Sequence, residues 1–362
     1  MTTRVIVCLD GCGPDYFSAG ETPNLDAMAR EGFHTIGEAV VPTVTNVNNT
    51  SIITACLPRK HGITSNYHLD PATGKGLYME SPDFLLAETA FRRIARGGGR
   101  AVLLTAKDKL KTLIRDGAAV AESAERPSPS LVDRVGEAPG IYTIEVNHWL
   151  LRAAREMIRE EKPDFLYVST TDFATHTHPP ESEPSLRNIH EIDRLIGEIV
   201  DASPGMEMVV TADHGMNAKT RALDPGAILA AAGIKAQAIP IIKDRHVVHH
   251  QNLGGAAYIY LGEPSAALHA AAVLREEAGV ESVLDAGEAA ARYGLHPGRI
   301  GHLFLLADRE TVFGELLRPR EEVRLRSHGS LHERRIPIYA LGEGPLAVRP
   351  RSNPEVAAWL FS

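Results

Sequence analysis

Cysteine is scarce in this chain, with three in 362 residues. Cys8, Cys12 and Cys56 show neither a C-x-x-C pair nor zinc-knuckle spacing. That argues against a disulfide framework and against a cysteine-built zinc fold. Cys8 sits in an apolar run and is expected in the core, and the set as a whole suits a reducing, cytoplasmic compartment. Basic blocks are lacking too. With a net charge of −8 the chain is not expected to partner nucleic acid. No apolar run approaches a membrane span, and Met1-Thr2-Thr3-Arg4 leads straight into an apolar stretch. Neither membrane association nor a signal peptide is therefore expected. Internal repeats and low-complexity tracts are missing as well. What remains is a globular composition, 44% hydrophobic and 23% charged, long enough for a large core with an insertion. A homodimer is left open.

The most informative stretch is Met208-Val209-Val210-Thr211-Ala212-Asp213-His214-Gly215. A β-branched apolar run reads as a buried strand, and the glycine ends it in a turn. Burying a carboxylate beside an imidazole is costly unless both are paired. One reading is an Asp-His-Gly turn that caps the next helix. The other is a pair of metal ligands. The second gains weight because the form recurs. Residues 165–172 end another strand-like run in Asp172, with His176 four residues on, which a helix would bring to the same face. Residues 4–11 repeat it again, ending in Asp10-Gly11. Three strands thus deliver a carboxylate at the carboxyl end, the edge where open parallel α/β sheets bind ligands.

In chain order, Thr22 and Pro23 open a helix that Gly32 ends. The hydroxyl- and amide-rich turn around Thr43, Thr45, Asn48 and Asn49 leads into an apolar stretch. It reads either as an N-cap cluster or as a nucleophilic hydroxyl at a helix N-terminus, where free N–H groups attract phosphate. Residues 61–67, including Asn66, form a polar loop. A helix is expected over 84–96 and a strand over 100–105. Lys107 and Lys109 follow, either as an anion site or as a solvated charge run. Residues 116–140 read as a loop or peripheral segment. Helices are expected at 147–161 and 186–201, with His190 and Asp193 structural. Strand–helix alternation to residue 215 predicts a doubly wound, mostly parallel α/β sheet. Beyond Lys219, alanine-rich helices (226–233, 264–277) alternate with short strands (238–242, 256–261, 302–306). This predicts a smaller α+β cap over 219–324, inserted into a core of 1–218 and 325–362. His246, His249 and His250 lie in a cap loop and are not counted as metal ligands. His328 precedes a glycine where the chain returns to the core, and Asn353 opens a last helix.

Leu9-Asp10-Gly11, the Thr45 turn, Asp172-x-x-x-His176, Asp213-His214-Gly215 and Ser327-His328-Gly329 occur in the order found in the alkaline phosphatase superfamily, which this chain resembles. Within it, Thr105-Ala106-Lys107-Asp108-Lys109-Leu110, Asp213-His214-Gly215-Met216-Asn217-Ala218-Lys219, Val247-Val248-His249-His250 and Arg326-Ser327-His328-Gly329 resemble the phosphonoacetate hydrolases. The resemblance implies two zinc ions, with manganese or iron as alternatives. One would be held by Asp10, Thr45, Asp213 and His214, the other by Asp172, His176 and His328. It makes Thr45 the nucleophile, gives Asn66 the phosphonate oxygens, and gives Lys107 and Lys109 the substrate carboxylate. Cleavage of phosphonoacetate through a phosphothreonine would then yield acetate and phosphate. The segments 220–233 and 251–255 depart from the family's usual pattern. Two rivals stand: a phosphodiesterase or nucleotide pyrophosphatase using the same metals, and a non-catalytic metal sensor or scaffold.

Overall fold

Burial along Arg4–Cys8 (β1) sets the architecture. Val5 and Val7 pack into one apolar cluster, and Ile6 and Cys8 into another. A strand buried on both sides needs cover on both faces, as in a parallel α/β sheet. The computed structural model describes residues 2–70, 73–245, 251–342 and 349–361. Its further strands begin with Phe33–Glu38 (β2), Tyr67–Leu69 (β3), Gly76–Tyr78 (β4), Ala101–Thr105 (β5), Val120–Ser123 (β6), Phe165–Ser169 (β7) and Glu207–Thr211 (β8). Then come Asn217–Leu223 (β9), Ala236–Pro240 (β10), Ala256–Leu261 (β11), Val280–Asp285 (β12), Leu303–Ala307 (β13) and Thr311–Phe313 (β14). Arg320–Ser327 (β15) and Arg335–Leu341 (β16) complete the set.

The main sheet has seven strands in the order β2-β16-β8-β1-β7-β5-β6. It is mixed, because β16 runs antiparallel to both β2 and β8. Around its centre the pairing is parallel and closely registered. Cys8 lies opposite Ser169 on one side and Thr211 on the other, and Thr105 lies opposite Ser169. The carboxyl ends of β1, β5, β7 and β8 therefore form one row. Asp10, Lys107, Asp172 and Asp213 all leave the sheet within three residues of it.

Helices Glu145–Glu161 and Glu183–Ala202 cover one face with Trp149, Leu150, Ile189 and Ile192. Helices Thr45–Thr54, Asp108–Ile114 and Asn353–Phe361 cover the other with Val47, Ile52, Leu110, Val356 and Trp359. Each such side chain, fully buried, contributes about 1.5–3 kcal/mol. Asp193 is structural, as expected. Its carboxylate accepts from the backbone N–H groups of Asn24 and Leu25 and holds the start of helix Pro23–Glu31.

The second lobe carries a four-stranded sheet, β10-β11-β13-β12, with its own apolar cluster. A three-stranded sheet, β14-β9-β15, adjoins it. The expected boundaries at 218/219 and 324/325 fall inside β9 and β15, which pair with each other. Two other expectations change. The helix over 84–96 is a short 3-10 turn, Pro82–Phe84, followed by a helix that starts only at Ala90, where the Thr89 hydroxyl caps it by accepting from Arg92 N–H. The segment 116–140 contains the edge strand β6 and a helix, Pro129–Val135. Its prolines sit in the flanks and at the first helical turn, where they are tolerated. No helix among the described residues is long and apolar enough to cross a membrane.

Candidate active site

Gly11 turns the chain just beyond β1. Its φ of 70° is left-handed, and a Cβ there would lie 2.5 Å from Thr175 Oγ1, so glycine is required. The turn lets Gly11 N–H donate to Asp213 Oδ1 at 3.1 Å, which ties the ends of β1 and β8 together. After β7, Asp172 precedes helix Phe173–Thr177, and His176 lies one turn on. His176 Nε2 is 3.0 Å from Asp172 Oδ2. His328 arrives from the end of β15. The expected metal-binding side chains fall into two buried groups, Asp10–Asp213–His214 and Asp172–His176–His328. Within each group the donor atoms lie within 4.8 Å of one another. The groups adjoin, because the His214 and His328 rings stack with centroids 3.8 Å apart.

Each of these histidines is held through its other nitrogen. The Nδ1 atoms of His176, His214 and His328 lie 2.7, 2.9 and 2.7 Å from the carbonyl oxygens of Arg326, Gly215 and Thr43. A carbonyl only accepts, so Nδ1 donates to it, and Nε2 is turned toward the carboxylate cluster. Fixing the tautomer from behind is what metal-ligating histidines require. Burial first, then the neighbouring His214, pushes His328 down to about 3, so its imidazole is neutral. Burial pushes Asp213 up to about 7 against the donation from Gly11. Asp10 is raised well above the carboxylate range by burial, and then by Asp172 and Asp213. Three converging carboxylates with pre-oriented imidazoles, that of His328 neutral, are a donor set suited to divalent cations, whose charge relieves that repulsion.

Thr45 is the first residue of helix Thr45–Thr54, and no side chain caps that helix. Its hydroxyl points elsewhere: Oγ1 lies 3.3 Å from Asp10 Oδ1 and 3.3 Å from His214 Nε2. The turn before it is held by Asn48, which donates to the carbonyls of Val40, Pro42 and Val44 and accepts from Val40 N–H. Asn49 donates to Asp213 Oδ2 at 3.1 Å, and Asn353 joins Asn48 to the carbonyl of Asp213. Sequence reasoning placed Asn48 and Asn49 in a capping cluster and Asn353 at a helix start, and did not see these links. The available signal was a run of asparagines inside a helix, where they are intrinsically unfavourable.

The lysines are not a solvated charge run. Their side chains are 18% and 23% exposed, and both line a small cavity with Thr45, Asn66, Asp172 and His328. Burial opposes the charge of Lys107, but Asp172, Asp10 and Asp244 outweigh it and raise its pKa. Lys107 Nζ is 3.3 Å from Asp172 Oδ1, and Lys109 pairs with Asp244, a residue that sequence reasoning passed over. Among the described residues, the buried side-chain oxygen of Asn66 has no hydrogen-bond partner. His246, His249 and His250 lie outside the described residues.

The family model for type I phosphodiesterase / nucleotide pyrophosphatase matches residues 4–331. The phosphonoacetate hydrolase of Sinorhizobium meliloti, solved in complex with phosphonoformate, superposes with a TM-score of 0.89 at 31% identity, covering 99% of this chain and 95% of that one. Murine ectonucleotide pyrophosphatase / phosphodiesterase 5 has a TM-score of 0.74 at 17% identity, covering 99% and 94%, and so shares the fold. An uncharacterised pyrophosphatase/phosphodiesterase of Schizosaccharomyces pombe is 25% identical over 227 residues, 59% of this chain and 45% of that protein. The matched region thus spans less than half the length of that curated relative.

Proposed function

The chain belongs to the type I phosphodiesterase / nucleotide pyrophosphatase family of the alkaline phosphatase superfamily, and from that premise we propose that it hydrolyses the phosphorus–carbon bond of phosphonoacetate to acetate and phosphate. The observation that carries this reading is the cavity that Thr45 shares with Lys107 and Lys109. The family is metal-dependent, and the chain has two buried groups able to bind metal. We assign Asp10, Thr45, Asp213 and His214 to one zinc ion and Asp172, His176 and His328 to the other, with manganese or iron able to replace zinc in such a donor set. When bound, such ions lower the pKa of a neighbouring hydroxyl and take up charge on phosphoryl oxygens.

The chain's own groups do the rest. Thr45 attacks phosphorus from the first turn of its helix, whose free N–H groups favour phosphoryl oxygens. The Asn66 side chain fixes another of those oxygens. As the P–C bond breaks, carbon keeps the electron pair and shares it with the adjacent carboxylate as an enolate. Lys107 and Lys109 stabilise that charge as preorganised cations. The proton that the Thr45 hydroxyl gives up on attack passes, relayed by water, to the carbon and completes acetate. One water then hydrolyses the phosphothreonine, releasing phosphate and returning a proton to Thr45. We place the enzyme in the cytoplasm, which suits the unpaired Cys8, Cys12 and Cys56. The 219–324 segment would act as a cap.

The test is product release from phosphonoacetate, p-nitrophenyl phosphate and a nucleotide p-nitrophenyl diester. The parent should release equimolar acetate and phosphate from phosphonoacetate with the highest kcat/KM of the three. Thr45→Ala should fold and keep metal but lose turnover by several orders of magnitude, while Thr45→Ser retains part. A preference for the diester would transfer the assignment to nucleotide hydrolysis.

A further inference from the structure

Lys243-Asp244-Arg245 approaches the site from the second lobe, and its three charges point to different tasks. Lys243 Nζ lies 5.1 Å from the Tyr67 ring centroid and pairs with Glu315 at 2.7 Å. Arg245 lies 4.1 Å over the Tyr78 ring and reaches Glu80 at 3.6 Å. Both cations thus rest on the β3–β4 hairpin. Asn252 closes the backbone from the other side, accepting from Asp244 N–H at 2.9 Å and donating to its carbonyl at 3.2 Å. So anchored, Asp244 presents its carboxylate to Lys109, whose Nζ lies 2.7 and 2.6 Å from the two oxygens. The Asp244 side chain is 12% exposed.

This pair stands between two spaces. The inner cavity beside Thr45 has a volume of about 30 Å³, room for a water or two. An outer cavity of about 320 Å³ lies beyond it, and Lys107, Lys109 and Asp244 line both. On the proposed reading of the site, a phosphonate seated at Thr45 directs its leaving group at the pair.

We propose that Asp244 is a specificity-determining residue: it holds Lys109 as a stand-in for the substrate's own carboxylate, and gives it up only to a leaving group that brings an anion. A carboxylate that takes Lys109 keeps the buried cation paired, while Asp244 turns toward the outer cavity, where Arg126 and Arg245 also face. An uncharged leaving group offers Lys109 nothing. Opening the pair for it strands the partly buried Lys109 cation without a partner, which is costly. Discrimination then comes from a penalty on the wrong substrate as much as from attraction of the right one. The inference rests on the reading of Lys107 and Lys109 as carboxylate-binding groups.

The metal-loaded Asp244→Asn and Asp244→Ala variants test it. The ratio of kcat/KM for phosphonoacetate to that for p-nitrophenyl phosphate should fall about tenfold, chiefly because ester hydrolysis rises. Acetate, as inhibitor of ester hydrolysis, should bind about tenfold more tightly, since its competitor is gone. In a Lys109→Met background neither substitution should change the ratio further. That last readout separates the gate from a general loss of structure. An unchanged ratio, or a parallel fall on both substrates with acetate binding unaltered, would overturn the proposal. Should the parent fail to cleave phosphonoacetate while the ester and acetate effects hold, the phosphonoacetate reading falls and the gate stands.

Discussion

Replacing Lys107 with methionine deletes one charge and keeps most of the side chain's volume. In the folded protein the Lys107 side chain is 18% exposed and its ammonium lies 3.3 Å from Asp172 Oδ1, and Asp172, Asp10 and Asp244 together keep it protonated far above neutrality despite its burial. Its loss removes a charge-assisted contact to the substrate carboxylate, worth about 1.5–3 kcal/mol. That converts to roughly tenfold to 150-fold in kcat/KM. The fall should appear in kcat as well as KM, because the carboxylate gains electron density only as the P–C bond breaks. Steady-state phosphate release from phosphonoacetate and from p-nitrophenyl phosphate is the assay, with metal content measured on the same preparations. Ester hydrolysis should stay within about threefold of the parent. Equal losses on the two substrates at unchanged metal content would show that Lys107 binds the phosphoryl group or supports the site, and would refute the argument from enolate charge.

Chelator-treated protein should regain two equivalents of divalent metal and full activity, with a melting temperature that rises on reloading because the ions bind the folded state; a stoichiometry of one or none with activity untouched would refute the paired site. The buried Lys219–Glu333 pair, 2.9 Å apart, makes a separate forecast for acid stability. Burial alone would raise Glu333, but Lys219, Asn217 and Ser330 hold it below the ordinary glutamate value. Its contribution is therefore complete above the unfolded-state value and is lost as pH falls through the lower folded one. Glu333→Gln should cost about 3–5 kcal/mol near neutrality, and its deficit against the parent should narrow below about pH 4.3; urea melts in which the gap is constant from pH 7 to pH 3 would mean that the pair is not ionised.

Much of the site was legible because its residues leave strand ends. Apolar runs closing on Asp10, Asp172 and Asp213 could be read as β1, β7 and β8, and parallel pairing brings such ends together. His176 followed from helical spacing alone. Asp244 was not legible. Its partner is 135 residues away, and nothing in Lys243-Asp244-Arg245 distinguishes a solvated charge run from one resting on a tyrosine hairpin. Nor was β6, whose short and partly exposed sequence carries no strong alternation. The start of the helix at Ala90 was misplaced because residues 84–89 share its apolar character, and only the Thr89 hydroxyl marks the true beginning.

The carbonyls behind His176, His214 and His328 belong to the main chain of Arg326, Gly215 and Thr43. No side-chain substitution at those positions deletes the acceptor. The orientation of the imidazoles is thus inherited from the path of the backbone, and it can persist while the residues supplying it drift. Relatives that look divergent around the histidines can keep the same ring geometry, provided their loops follow the same course. An insertion of one residue between Thr43 and Thr45 would do what few point changes could, shifting the His328 acceptor and the Thr45 hydroxyl out of step in a single event.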